Sequence, residues 1–254
     1  MKKFFTILLA GLAVHQVQSQ TITSANLPII GEAWIEFIDA TGGLVTITAG
    51  GAGQTWNYGT SFNVADTSAF LFESPNNAPA IMNASINFPN ANLTVNEFLE
   101  DTSLSVYIYS TDFYKTNATG LYIDGLVFAA PPGYWFKRDY NPDLLIIPVP
   151  FALNDTRANN ALYQQQYTVN LGPPVGLVTE NHKSYTIQDF VADATGTLTT
   201  PLGTFNNVLR IKEFSYYIDS TIYSVPSIPT EVSISDTTIT YQFVQTNSHC
   251  LLMS

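Results

Sequence analysis

Only one cysteine, Cys250, occurs in 254 residues. No disulfide can form within the chain, so burial and backbone hydrogen bonds must hold it together. Cys250 itself reads as a small buried residue at the end of a last strand. Basic residues are also scarce, with nine Lys and Arg against twenty Asp and Glu. That balance argues against a nucleic-acid partner, whose phosphates need Lys and Arg, and against attachment to an anionic membrane surface. Histidine occurs three times, as His15, His182 and His249. No His-x-His or His-Glu-x-x-His spacing is present, so the usual zinc ligands are lacking. Calcium loops of the Asp-x-Asp-x-Asp-Gly type and a Gly-x-Ser-x-Gly nucleophile turn are missing too. The expectation is a chain with no cofactor, no metal and no enzymatic constellation.

Long apolar runs are absent after the first twenty residues. Residues 1–19, MKKFFTILLAGLAVHQVQS, carry a basic start, a short apolar run and small residues before Gln20. Those are the three parts of a secretory signal peptide, and the run is too short for a permanent span of roughly 20 residues. Gln20 stands where a lipoprotein would place cysteine, so export without a lipid anchor is expected, to the periplasm, the cell surface or the medium. Subtracting Lys2 and Lys3 leaves seven basic against twenty acidic residues, a mature charge of −13. Such acidity suits solubility outside the cell.

What is plentiful is hydrophobic and aromatic. Charged residues are 11 % of the chain and hydrophobic ones 46 %, with fourteen Tyr and sixteen Phe. That is ample apolar surface to offset chain entropy, so disorder is excluded. Thr, Tyr, Phe, Val and Ile favour pleated strands, and fourteen Pro with fifteen Gly supply turns. Strands are expected at residues 32–39 and 69–73. A hairpin turning at Asn117-Ala118-Thr119-Gly120 is expected within 103–128. A meander over 185–223 should turn at Thr200-Pro201-Leu202-Gly203, and a last strand covers 238–244. The glycine-rich stretch 42–59 lacks the spacing and the Lys-Ser/Thr pair of a phosphate loop and reads as turn or loop. Pro131, Pro132, Pro148 and Pro150 in the stretch 129–151 favour an edge strand or an extended crossing. Residues 156–166 are the one place that suggests a short helix.

The fold expected is therefore all-β: an antiparallel, hairpin-connected meander forming a twisted half-barrel or a β-sandwich, with few or no helices. Residues 20–254 are read as a single β-rich domain, with any internal seam near 129–160.

The aromatics supply the functional lead. Trp56 and Tyr58, Tyr107 and Tyr109, and Tyr134 and Trp135 are candidate ligand-binding residues, as stacking platforms for sugars or the lining of an apolar cavity. The competing reading makes Trp34, Trp56 and Trp135 core anchors. The first function expected is a non-catalytic exported protein binding a small apolar molecule or a glycan on a concave sheet face. An exported carbohydrate-active hydrolase using two carboxylates is the alternative, and a structural or adhesive surface protein with an unpaired edge strand is a third. Asp189 and Asp193, four apart on one strand, would be about 13 Å apart, too wide for a retaining pair. His182 reads as a surface turn residue.

Two phrases carry a resemblance. Gly53-Gln54-Thr55-Trp56-Asn57-Tyr58 and the stretch GTLTTPLGTFNNVLR at 196–210 resemble the G-x-Q-T-W and G-T-L-x-x-P-x-G-T-F-x-N-V-L-R phrases of β-rich secreted proteins of Bacteroidetes, a group with no assigned function. Asn57 stands where that group usually has Asp. Many of its members carry a type IX secretion sorting domain, a module absent from these residues. The resemblance implies export and a curved antiparallel sheet of the half-barrel kind.

Overall fold

A computed structural model describes residues 20–39, 47–60, 64–80, 83–101, 106–130, 134–170, 176–225, 228–249 and 251–253. For 35–39, 64–68, 97–101, 106–109, 129–130, 134–136, 167, 169–170, 177, 225, 228–230 and 253 it describes the backbone alone. Residues 1–19, read from the sequence as a signal peptide, and Cys250 lie outside the described residues.

The chain is all-β. Its strands are β1 (Ala33–Asp39), β2 (Gly51–Asn57), β3 (Val64–Glu73), β4 (Leu93–Asp101), β5 (Val106–Asn117), β6 (Gly120–Ala130), β7 (Tyr134–Pro148), β8 (Thr156–Asn170), β9 (Leu177–Thr200), β10 (Gly203–Val225), β11 (Ile228–Gln245) and β12 (Leu251–Met253). They form one nearly closed, barrel-like sheet in the order β1-β3-β4-β5-β6-β7-β8-β9-β10-β11-β12. Neighbours along that path are antiparallel, whereas β2 lies off it, parallel to the end of β9. Among the described residues no helix is long and apolar enough to cross a membrane.

Both expected turns form where local chemistry dictates. Asn117 Oδ1 accepts from the backbone N–H of Thr119 at 2.7 Å and of Gly120 at 3.2 Å, closing β5 onto β6. Gly203, at φ +140, lets β9 return as β10.

Three expectations fail for one reason, that partners distant in sequence override local preference. Residues 156–166 are not helical; they belong to β8, which pairs with β9 from Thr156↔Val191 to Asn170↔Leu177. The stretch 42–59, read as turn or loop, contains β2. Gly196 permits this strand, because a Cβ there would sit 2.0 Å from the Gln54 carbonyl oxygen. The proline-studded stretch 129–151 contains β7, inside the strand order rather than at its edge. Beside Pro142 the ladder is sparse: among the described residues β7 and β8 pair in register only at Tyr140↔Tyr163. Opposite β6, residues 140–143 bow out between Gly125↔Asp139 and Ile123↔Leu144.

The main core lies on one face of this sheet. Leu145, Ile147, Phe190, Leu209, Ile211 and Val244 are buried there with Ile22 and Leu27 of the N-terminal segment. Asn26 anchors that segment by donating from Nδ2 to the carbonyls of Thr246 at 2.8 Å and Ser248 at 3.2 Å. A second core forms on the opposite face where β2 lies against β9: Trp56, Tyr58, Ala194, Leu198, Val208 and Phe243. Consecutive residues Val208, Leu209, Arg210 and Ile211 are therefore all buried, in place of the alternation a one-sided sheet would show.

Candidate functional site

Where β7 parts from β8, side-chain amides replace the missing ladder. Asn159 Nδ2 donates to the Asp143 carbonyl at 3.1 Å, and Gln188 Nε2 to the Leu145 carbonyl at 2.9 Å. These carbonyls would otherwise be buried without partners, which costs about 1–3 kcal/mol each. The amides continue inward as a polar row. Gln188 Oε1 accepts from Asn159 at 3.0 Å, and Glu213 accepts from Gln188 at 2.7 Å and Gln242 at 3.3 Å. Burial raises the pKa of Glu213, and the hydrogen bond from Gln188 offsets part of that rise. Gln242 Oε1 is buried with no partner among the described residues.

Beside this row sits a cluster of carboxyls. Asp124, 5 % exposed, lies in β6 at the bowed segment. Burial, then the charge and hydrogen bond of Asp143, push its pKa up to about 6, with Lys115 acting in the opposite sense. Lys115 is ion-paired with Asp143, and Lys137 with Asp139 at 2.7 Å. The neighbouring Asp143 favours the neutral form of Asp124, because ionising Asp124 would bring two like charges together. A hydrogen-bonded pair is closer than the roughly 5–9.5 Å spacing of the two carboxyls in glycoside hydrolysis. Among the described residues no group of three or more His, Cys, Asp or Glu is placed to hold a metal ion.

The outward side of the same seam is an open groove of about 600 Å³. Its lining includes Asp139 and Asn141 from β7, Leu162, Gln164 and Gln166 from β8, and Asn181 from β9. Alternation along β8 places Leu162, Gln164 and Gln166 on the face opposite the buried Ala161 and Tyr163. Gln166 pairs in register with Asn181. The side chains of Asn141, Gln164, Gln166 and Asn181 make no hydrogen bond among the described residues. Gln165, also at the groove, accepts from the Tyr163 hydroxyl at 3.1 Å. Each carboxamide offers two donors and an acceptor, so the groove can bond hydroxyl groups in either sense.

Of the aromatic residues singled out from the sequence, Trp56 and Tyr58 are described to their side chains. Trp56 and Tyr58 are 1 % and 5 % exposed, in edge contact with Phe243 at 5.0 and 6.2 Å. They do not form a stacking platform, because β2 turns them into the second core. Trp56 Nε1 donates to Thr48 Oγ1 at 2.9 Å, and the Arg210 guanidinium lies 5.6 Å from the indole centre. Burial raises the pKa of Tyr58, partly offset by Arg210. Tyr107, Tyr109, Tyr134 and Trp135 lie in β5 and β7, and register places Tyr109, Ala129 and Trp135 in one cross-strand row. Their side chains lie outside the described residues. His182 is not in a turn: it sits within β9, its Nε2 2.5 Å from Asp219 Oδ1 and its ring edge-on to Tyr163 at 5.2 Å.

The groove amides carried a signal that a helical reading of 156–166 hid. Read as a strand, the same residues put Leu162, Gln164 and Gln166 on one face. Comparison with protein-family models, curated proteins and solved structures found no match to the chain.

Proposed function

We propose that the chain is an exported, non-catalytic binding protein that holds a neutral glycan in the groove beside β8. One observation carries this reading: four carboxamides without partners among the described residues converge on an open groove with one carboxylate and one leucine. Rows of amides bond the hydroxyls of a sugar as donor and as acceptor. No Lys or Arg is part of this lining, so an anionic ligand meets no counter-charge there. An apolar molecule finds only Leu162. Export rests on the leader pattern of residues 1–19 and the acidic composition, and implies a mature protein that begins at Gln20.

The test is calorimetric titration of the protein against a panel of neutral tetrasaccharides. Gln164→Ala and Asn181→Ala should each weaken binding about fivefold, the worth of one hydrogen bond. Absence of binding at millimolar concentration across the panel, or variants that bind as tightly as the parent, would sink the reading.

A further inference from the structure

Pairing across β8, β9, β10 and β11 is unbroken beside the groove, and it arranges the outward face in rows. Leu162, Tyr185, Ile218 and Ser235 stand side by side, as do Asn160, Ile187, Tyr216 and Thr237. Towards the turn of β9 into β10 comes Ala158, Asp189, Phe214 and Ile239; in the other direction comes Gln164, Lys183, Ser220 and Ser233. Successive rows are about 7 Å apart and neighbouring strands about 4.8 Å. Tyr185 and Tyr216 are thus diagonal neighbours, within reach of one ligand.

This face is open. Phe214 is 39 % exposed, Ile239 52 % and Ile222, a row beyond Ser220, 38 %. Tyr185, Ile187, Tyr216 and Ile218 are partly exposed, and none of the seven belongs to or packs against a core cluster. Leu162 and Gln164 belong both to these rows and to the groove, so the two surfaces are continuous.

We infer that the outward face of β8–β11 extends the groove into a platform for a neutral polysaccharide chain, an inference that rests on the groove reading above. Rings and aliphatic side chains suit the apolar faces of pyranose rings, while the interleaved Ser220, Ser233, Ser235 and Thr237 meet their hydroxyl rims. Charge agrees. Asp189, Lys183 and Glu231 nearly cancel on this face, whereas the chain as a whole carries −11, so the platform is a near-neutral area on an acidic protein.

The experiment compares amylose, laminarin and glucomannan with their tetrasaccharides, using polygalacturonate as the anionic control and light scattering for oligomeric state. Tyr185→Ala/Tyr216→Ala should lose about tenfold in affinity for the bound polysaccharide and keep tetrasaccharide affinity, since stacking of each ring contributes about threefold to tenfold. Tyr185→Phe/Tyr216→Phe keeps the rings and should keep polymer binding, which separates stacking from misfolding. Polymer binding unchanged in the alanine pair, with tetrasaccharide binding still lost in Gln164→Ala, overturns the platform and leaves the groove. Loss of neither ligand in any variant overturns both. A parent dimer that Phe214→Arg converts to monomer without changing polymer affinity also overturns the platform, and makes this face a contact between two copies.

Discussion

The indole Nε1 of Trp34 donates to the carbonyl oxygen of His249 at 2.9 Å. This bond ties the first strand of the sheet to the residues entering the last. An ion pair between His249 and Glu32 reinforces it, and the Trp34 ring packs edge-on against Phe72 at 4.9 Å. The barrel-like sheet is therefore drawn together by side chains where its end strands have no ladder between them. Trp34→Phe, which keeps a ring and removes the donor, should cost about 1 kcal/mol in chemical denaturation. Trp34→Ala should cost about 3 kcal/mol or more, because the packing is lost as well.

The guanidinium of Arg210 is fully buried. It donates to both carboxylate oxygens of Asp193, at 2.7 and 2.9 Å, and to the Thr48 carbonyl at 3.1 Å. Asp193 can meet it because the register shifts between Arg210↔Ala194 and Ile211↔Ala192, leaving Asp193 as the extra residue. Asp193→Ala strands a buried cation and should destabilise by about 3–5 kcal/mol. Asp193→Ala/Arg210→Met should recover most of that loss. If the double variant is as unstable as the single one, the loss is not due to an unpaired charge.

Asp124 makes stability depend on pH in the less usual direction. Its pKa rises from 3.8 to about 6 on folding, so the folded state binds this proton more tightly than the unfolded chain. Its contribution is fully present below the lower value, falls as pH rises through that window, and is lost above the upper value. Asp143 and Asp139 raise this pKa and Lys115 lowers it. Urea midpoints measured from pH 4 to pH 7 should fall with pH in the parent by more than in Asp124→Asn. Equal slopes in the two proteins would remove Asp124 as the cause.

Gly196→Ala should detach β2, since its new methyl would overlap the Gln54 carbonyl. Loss of the second core around Trp56 should shift tryptophan emission to the red and cost about 3 kcal/mol. Unchanged emission and stability would mean that the parallel strand tolerates displacement.

The hairpins turning at 117–120 and 200–203 were legible because an Asx turn and a Pro-x-Gly turn are built by adjacent residues. The long strand after Gly203 was legible only in part. Alternation separates Leu209 and Ile211 from Val208 and Arg210, yet both sets are buried, because Trp56 arrives from 150 positions earlier in the chain. The groove was hidden for a similar reason. Gln164 and Gln166 come to line one groove only once β8 is a strand and β7 has pulled away from it.

By itself the sequence determines a chain with a single cysteine, a strong acidic bias and the turns and patterning of an all-β protein. These are properties of composition and of neighbouring residues. Tertiary structure alone decided that β2 lies parallel to β9, that Trp56 and Tyr58 are core, and that the side chains of Asn141, Gln164, Gln166 and Asn181, without partners among the described residues, line one groove. Strand pairing joins residues far apart in sequence, so a strand's two neighbours, and with them the exposure of each face, are settled only when the sheet assembles.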